Sequence, residues 1–227
     1  MFIRKNDDID GFIEGVAMNK SINQSLVVPI FPLPVVLFPS VDLPLHIFET
    51  RYREMIHDVL KSGGTFGVIR IEEGARMSGM GCLARLVELA KLPDGRMNIL
   101  VQGTERFSVL NLVDGRPYKQ ARIHRIADSE PDIDGYEVAR DVRTALTDIA
   151  RLSAKLQGTP TDVLSDCPDD PTALSYWVPA RLYGSPAEQQ RLLEVETTME
   201  RLSDEYRLLD ETRKHLAAKA ALKDAFS

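Results

Sequence analysis

His46, His57, Cys82 and Cys167 are the residues best suited to ligate a metal or attack a substrate, and their placement argues against both roles. The chain has four histidines and two cysteines, and they are scattered. His46 falls in an alternating, strand-like stretch, and His57 falls on the polar side of a predicted helix. No CxxC pair is present, so neither a cysteine zinc site nor a disulfide framework is expected. Cys82 lies inside a predicted strand, where a buried thiol is packing material rather than a nucleophile. The sequence contains no GxxxxGK[ST] phosphate loop, no HExxH and no GxSxG elbow. Gly79 and Gly81 form an isolated pair that a turn explains. No catalytic residue, metal or cofactor is therefore expected.

The segment that stands out is apolar. "FPLPVVLFPSVDLPLHIFETRY", from Phe31 to Tyr52, carries four prolines in its first 14 positions, among residues that otherwise favour strands. Phe31, Leu33, Val35, Val36, Leu37 and Phe38 crowd around Pro32, Pro34 and Pro39. Two readings stand: core beside a proline-shaped corner, or an exposed patch that binds peptides. On the second reading Phe31, Leu33, Val36 and Phe38 make the apolar contact. Glu49, Thr50, Arg53 and Glu54, on the adjoining helix, form a polar rim.

Around this segment the chain divides by its punctuation. Residues 1–25 are a polar, acidic leader, expected to be poorly ordered or weakly helical. They carry no continuous apolar run and are not a signal peptide. From 26 to 130 the pattern is that of short strands. Val41, Leu43, Leu45 and Ile47 alternate with polar residues and Pro44, which predicts an edge or bulged strand. "TFGVIRI" (65–71) is strongly strand-prone. "CLARLVELAKLPDGRMNILVQG" reads as a hairpin turning at Pro93-Asp94-Gly95. One helix interrupts, with Phe48, Tyr52, Ile56, Val59 and Leu60 on one face and Gly63-Gly64 at its end.

From 131 to 227 the pattern is helical. Asp134 with Glu137, and Thr197 with Glu200, read as capping boxes. Thr159-Pro160, Asp170-Pro171 and Ser185-Pro186 each place a capping residue before a first-turn proline. Charged residues of the last helices read as solvated faces. The acidic, turn-rich stretch 127–135 is expected to be the protease-accessible link between the halves.

Net charge is −6, with 44% hydrophobic and 27% charged residues. The acidic balance disfavours nucleic acid. No run reaches the ~18 apolar residues of a membrane span. A cytoplasmic protein is expected.

The motifs carry a family likeness. Pro32-Leu33, Phe38-Pro39, Pro44-Leu45, Ile47-Phe48-Glu49-x-Arg51-Tyr52 and Gly103-x-x-Arg106-Phe107, with "SPAEQQRLLEVETTMERL" further on, resemble the N-terminal substrate-binding domain of Lon-type ATP-dependent proteases. The likeness runs over about residues 26–210. It implies an α+β fold, a PUA-like β pseudo-barrel followed by a C-terminal α-helical bundle, with Phe48 and Tyr52 pinning the first helix to the barrel. The sequence holds no ATPase or Ser-Lys protease module, so the resemblance is to standalone Lon-domain proteins. The function it implies is a non-catalytic binding module for peptides or unfolded protein segments, partnered with a protease or chaperone. An uncharacterised hydrolase and a PUA-like RNA-binding protein are the alternatives.

Overall fold

Strand-prone runs punctuated by turn chemistry fold into a barrel, and the capped amphipathic runs that follow fold into helices packed on it. The structure, a computed structural model, describes residues 25–72, 74, 76–158, 164–181 and 185–225. The leader before Ser25 and the Thr159-Pro160 cap fall outside the described residues.

Six strands are described: β1 (Leu26–Leu33), β2 (Asp42–Ile47), β3 (Thr65–Ile71), β4 (Met77–Lys91), β5 (Met97–Val113) and β6 (Gln120–Ile126). Helix α1 (Thr50–Lys61) lies between β2 and β3. Helices α2 (Ile133–Gln157), α3 (Pro171–Trp177), α4 (Pro186–Glu194) and α5 (Thr198–Ala225) follow the barrel. The sheet order is β2-β5-β4-β3-β1-β6, and β6 pairs back onto β5. That last pairing closes five strands into a ring, the pseudo-barrel of an α+β fold. β5 is 17 residues long; its first part pairs with β2 and its second with β6.

Pro44 sits on β2, which is the edge strand. Gly103 N–H donates to Val41 O. By antiparallel alternation this turns residues 43, 45 and 47 toward β5 and residue 44 outward. The missing Pro44 N–H therefore costs no ladder bond. A Cβ on Gly103 would lie 2.0 Å from Phe38 O, so only glycine lets the Phe38–Ser40 turn approach β5. Gly95 takes φ +82° in the β4–β5 hairpin, and Asp94 accepts from Arg96 N–H at 3.0 Å, as the turn residues predict.

One buried cluster, drawn from all five ring strands, holds Val28, Ile30, Ile69, Leu83, Phe107, Ala121 and Ile123; the other holds Phe31, Ile47, Tyr52, Met55, Ile56, Val59 and Phe66 among others. Helix α1 buries Tyr52, Met55, Ile56 and Val59 against it. Phe48 does not join them: it is 61% exposed, and Leu60 is also exposed. The expectation that Phe48 pins α1 is corrected; Phe48 precedes the helix, and Met55 completes the buried stripe.

In the helical half, α2 is capped by Asp132, whose carboxylate accepts from Gly135 N–H, and not by Asp134. Asp170 caps α3 with Pro171 in the first turn. Thr197 and Glu200 bond each other's backbone N–H groups at the start of α5. Helices α2 and α5 run side by side in the same direction, tied by Arg213–Asp148 and Lys155–Asp224. Phe38, Tyr176 and Leu193 form a small apolar cluster where barrel meets helices, and Val36 packs on it.

Two arginines lock this seam. Arg106, on β5, is 1% exposed and Arg201, on α5, is 0% exposed. Both donate to Asp128, at 2.7 and 2.9 Å, and Tyr176 O–H donates to the same carboxylate at 2.5 Å. Arg106 also donates to the carbonyls of Leu193, at the end of α4, and of Val195 and Glu196, between α4 and α5. Arg201 donates to Ser175 Oγ at 2.7 Å. Arg201 and Glu205 are thus buried, not solvated as the charge pattern suggests. Asp128 also pins the 127–135 link, which the sequence reads as loose.

Candidate functional site

Where β1 and β2 end and α1 begins, the barrel surface opens into a groove of about 650 Å³. Its floor is aromatic. Phe31, on the β1 face opposite Val28 and Ile30, packs against Tyr52 of α1 with ring centroids 4.3 Å apart and planes tilted by 56°. Burial, the main influence, raises the Tyr52 hydroxyl above its usual pKa, so the floor stays neutral. Leu33 and Leu45 bring the walls in from the two strand ends, and Ile71, Met77 and Leu112 close the far side. Phe48 stands at the lip, its ring stacked near His46 at 6.2 Å.

The polar rim is small. Glu49, at the N-cap of α1, makes no capping bond; its carboxylate instead accepts from Arg51 Nε–H at 2.8 Å. The Arg51 guanidinium lies over the Tyr52 ring, 4.6 Å from its centroid. Lys119 lines the opposite side. An apolar floor with a sparse polar rim suits an apolar side chain carried on a polypeptide.

Of the residues singled out in the sequence, Phe31, Leu33 and Glu49 come together here. Phe31 serves only as floor, since it is 7% exposed. Phe38 is fully buried and belongs to the seam with the helices, where Val36 joins it, so neither lies in the groove. Thr50 and Glu54 are exposed outside the groove lining. Arg53 turns its guanidinium toward Gly95 of the β4–β5 hairpin. Leu45, Phe48, Met77 and Leu112 line the groove although the sequence does not single them out as binding residues; Phe48 and Leu112 carry a signal, as large apolar residues left exposed.

The remaining candidates for chemistry fall away on geometry. His46 Nδ1 lies 2.7 Å from Asn98 Oδ1 across the β2–β5 pair, and His57 is exposed on α1. Among the described residues no cluster of His, Cys, Asp or Glu could hold a metal ion. The Cys82 thiol is buried and pushed up to about 12, first by burial, which keeps it protonated and unreactive. A larger cavity of about 720 Å³ lies along the barrel–helix seam. Its wall includes the Glu105–Arg125 ion pair and Asp128, whose oxygens are already committed. Its wall is more polar than that of the groove.

Comparison with known proteins agrees with this architecture. The family model for the ATP-dependent protease La (LON) substrate-binding domain matches residues 27–211. The chain belongs to the Lon substrate-binding domain family. Among curated relatives, the Lon protease of Roseiflexus castenholzii is 31% identical over 202 residues, covering 84% of this chain and 25% of that protein. The Lon protease of Cytophaga hutchinsonii is 25% identical over 195 residues, covering 81% and 24%. The chain thus spans about a quarter of the length of these Lon relatives.

Two solved structures share the Lon fold. The N-terminal domain of Mycobacterium avium complex Lon protease superposes with a TM-score of 0.64 at 18% identity, covering 83% of this chain and 98% of that one. A Lon N-terminal domain protein from Xanthomonas campestris gives 0.59 at 22% identity, covering 79% and 96%. No helix among the described residues is long and apolar enough to cross a membrane.

Proposed function

We propose that this chain is a non-catalytic binding module that captures apolar segments of unfolded polypeptides in the groove between β1, β2 and α1. The observation that carries the reading is Phe48, a large aromatic ring left 61% exposed at the lip of an aromatic-floored groove. Burial of such a ring by a ligand is favourable by about 1.5–3 kcal/mol. The family supports the same class of ligand: its members are substrate-binding domains of a protease. The unpaired outer edge of β2 lies beside the groove and offers backbone groups to an extended chain. With one shallow groove and a small rim, micromolar affinity is expected, about −8 kcal/mol. A protease or chaperone is the natural partner, because a module without chemistry of its own must hand its ligand on.

The test is the Phe48→Asp variant, titrated with a reduced, unfolded protein labelled with a fluorophore. Phe48 makes no core contact, so the variant folds as the parent does by circular dichroism. Affinity should fall about tenfold or more. An unchanged affinity in a folded F48D protein moves the binding site elsewhere.

A further inference from the structure

The apolar groove does not stop at Met77. Met77 also lines a second, polar cleft of about 460 Å³ between the β3–β4 end of the barrel and helix α4. Three arginines line it, Arg70, Arg76 and Arg191, against two carboxylates, Glu72 and Glu194. Both carboxylates are already engaged. Glu72 accepts from Arg70 Nη1 at 3.1 Å and from Arg76 Nη2 at 2.9 Å. Glu194 accepts from Gln190 Nε2 at 2.7 Å. Arg191 is held by Glu188 and Asp204.

Several polar atoms of this cleft's residues have no hydrogen-bond partner. They are the Arg70 Nε–H donor, the Ser78 hydroxyl and the Gln190 Oε1 acceptor. Ser78 and Gln190 are each more than nine-tenths buried. Buried polar groups left unpaired are costly, and such a set in a cleft marks a place for a polar ligand. The set has a definite character: donors and surplus positive charge on the barrel side, and one amide acceptor on α4. A bare anion satisfies the donors and leaves Gln190 unpaired. The last residue of a polypeptide satisfies both, with a carboxylate for the arginines and serine and its own amide N–H for Gln190.

We propose that this cleft receives the free terminal carboxylate of a polypeptide whose apolar last residues lie in the adjoining groove. The inference rests on the binding function proposed above and adds a polarity to it: the segment enters the groove with its C-terminus toward Met77. Arg76, with its side chain 80% exposed at the cleft mouth, meets the carboxylate first. Charge-assisted hydrogen bonds to a guanidinium then fix it beside Arg70.

The experiment uses the full chain and two synthetic peptides of identical sequence, a Gly-Ser stretch ending in Phe-Leu. One peptide ends in a free acid and the other in a primary amide. The free acid should bind about tenfold more tightly. Arg76→Gln should bring the acid down to the affinity of the amide and leave the amide unchanged. Phe48→Asp should weaken both peptides together. Equal binding of acid and amide by the parent protein overturns the carboxylate site and leaves the groove standing. An acid preference that survives R76Q places the carboxylate elsewhere and overturns the assignment. Binding of neither peptide removes the groove, and the carboxylate site with it. The acid–amide comparison on the unaltered protein needs no variant, so misfolding cannot obscure it.

Discussion

Glu205 is a fully buried carboxyl group on α5, and neither of its oxygens has a hydrogen-bond partner. Burial is the dominant influence and raises its pKa well above the usual carboxylate value; the Arg201 charge opposes this and the Asp204 charge adds to it. The folded protein therefore holds a proton that the unfolded chain releases above ~4.3. Below that pH the contribution to stability is fully present. As pH rises toward the folded-state value, the unfolded state sheds its proton first and stability is lost. Glu205→Gln, neutral at every pH, removes this dependence. Urea midpoints measured from weakly acidic to mildly alkaline pH should decline more steeply for the parent than for E205Q. The gap should approach about 1–3 kcal/mol, the cost of a buried polar group without compensation. Parallel curves would mean that Glu205 has an ordinary pKa and an accessible environment.

At the scale of elements, the junction of barrel and helices depends on Asp128, two residues beyond the end of β6. A single carboxylate faces two buried guanidinium groups, assisted by the carbonyls of Leu193, Val195 and Glu196 and by Ser175. Asp128→Asn keeps the shape and removes the charge, leaving Arg106 and Arg201 buried without a counter-ion. Breaking a buried pair in this way costs about 3–5 kcal/mol. The 127–135 link should then become the first site of limited proteolysis, read by mass spectrometry, whereas the parent should resist cleavage there. Equal cleavage of both proteins would show that Asp128 does not hold the seam. This junction also marks where sequence reasoning ends. The strands, hairpin turn, edge position of β2 and proline-led helix starts follow from local rules: period-2 alternation at Val41–Ile47, turn chemistry at Pro93-Asp94-Gly95, capping at Asp170-Pro171. Arg106 and Arg201 are 95 positions apart in sequence and look like any surface arginine until folding brings them to one carboxylate. The groove was half legible for the same reason. Phe31 and Leu33 belong to a conspicuous local run, but Met77 and Leu112 join them only through the β1–β3 pairing and closure of the barrel. Phe38 misleads because burial at a seam and exposure at a patch leave the same apolar signature.

At the scale of the whole molecule, the question is which kind of ligand the surface as a whole favours. The chain carries a net charge of −6, and many of its exposed arginines are neutralised by neighbours, as in Arg125–Glu105, Arg151–Asp148 and Arg207–Asp204. Nucleic-acid binding draws its affinity from counter-ion release and weakens steeply with salt. A protein making several phosphate contacts loses about three to five orders of magnitude between roughly 50 and 200 mM salt. Apolar capture in the groove has no such dependence, because burial of Phe48 and the aromatic floor releases water rather than ions. The amidated peptide, which carries no terminal charge to the arginine cleft, isolates this contribution. Its affinity for the intact protein should change by less than about twofold over the same salt range, while single-stranded RNA should show no saturable binding at its upper end. Fluorescence anisotropy on both ligands, run in one buffer series, decides the matter. A peptide affinity that collapses with salt would mean that surface charge rather than the groove holds the chain. Saturable RNA binding that declines with a steep salt slope would return the barrel to the nucleic-acid reading.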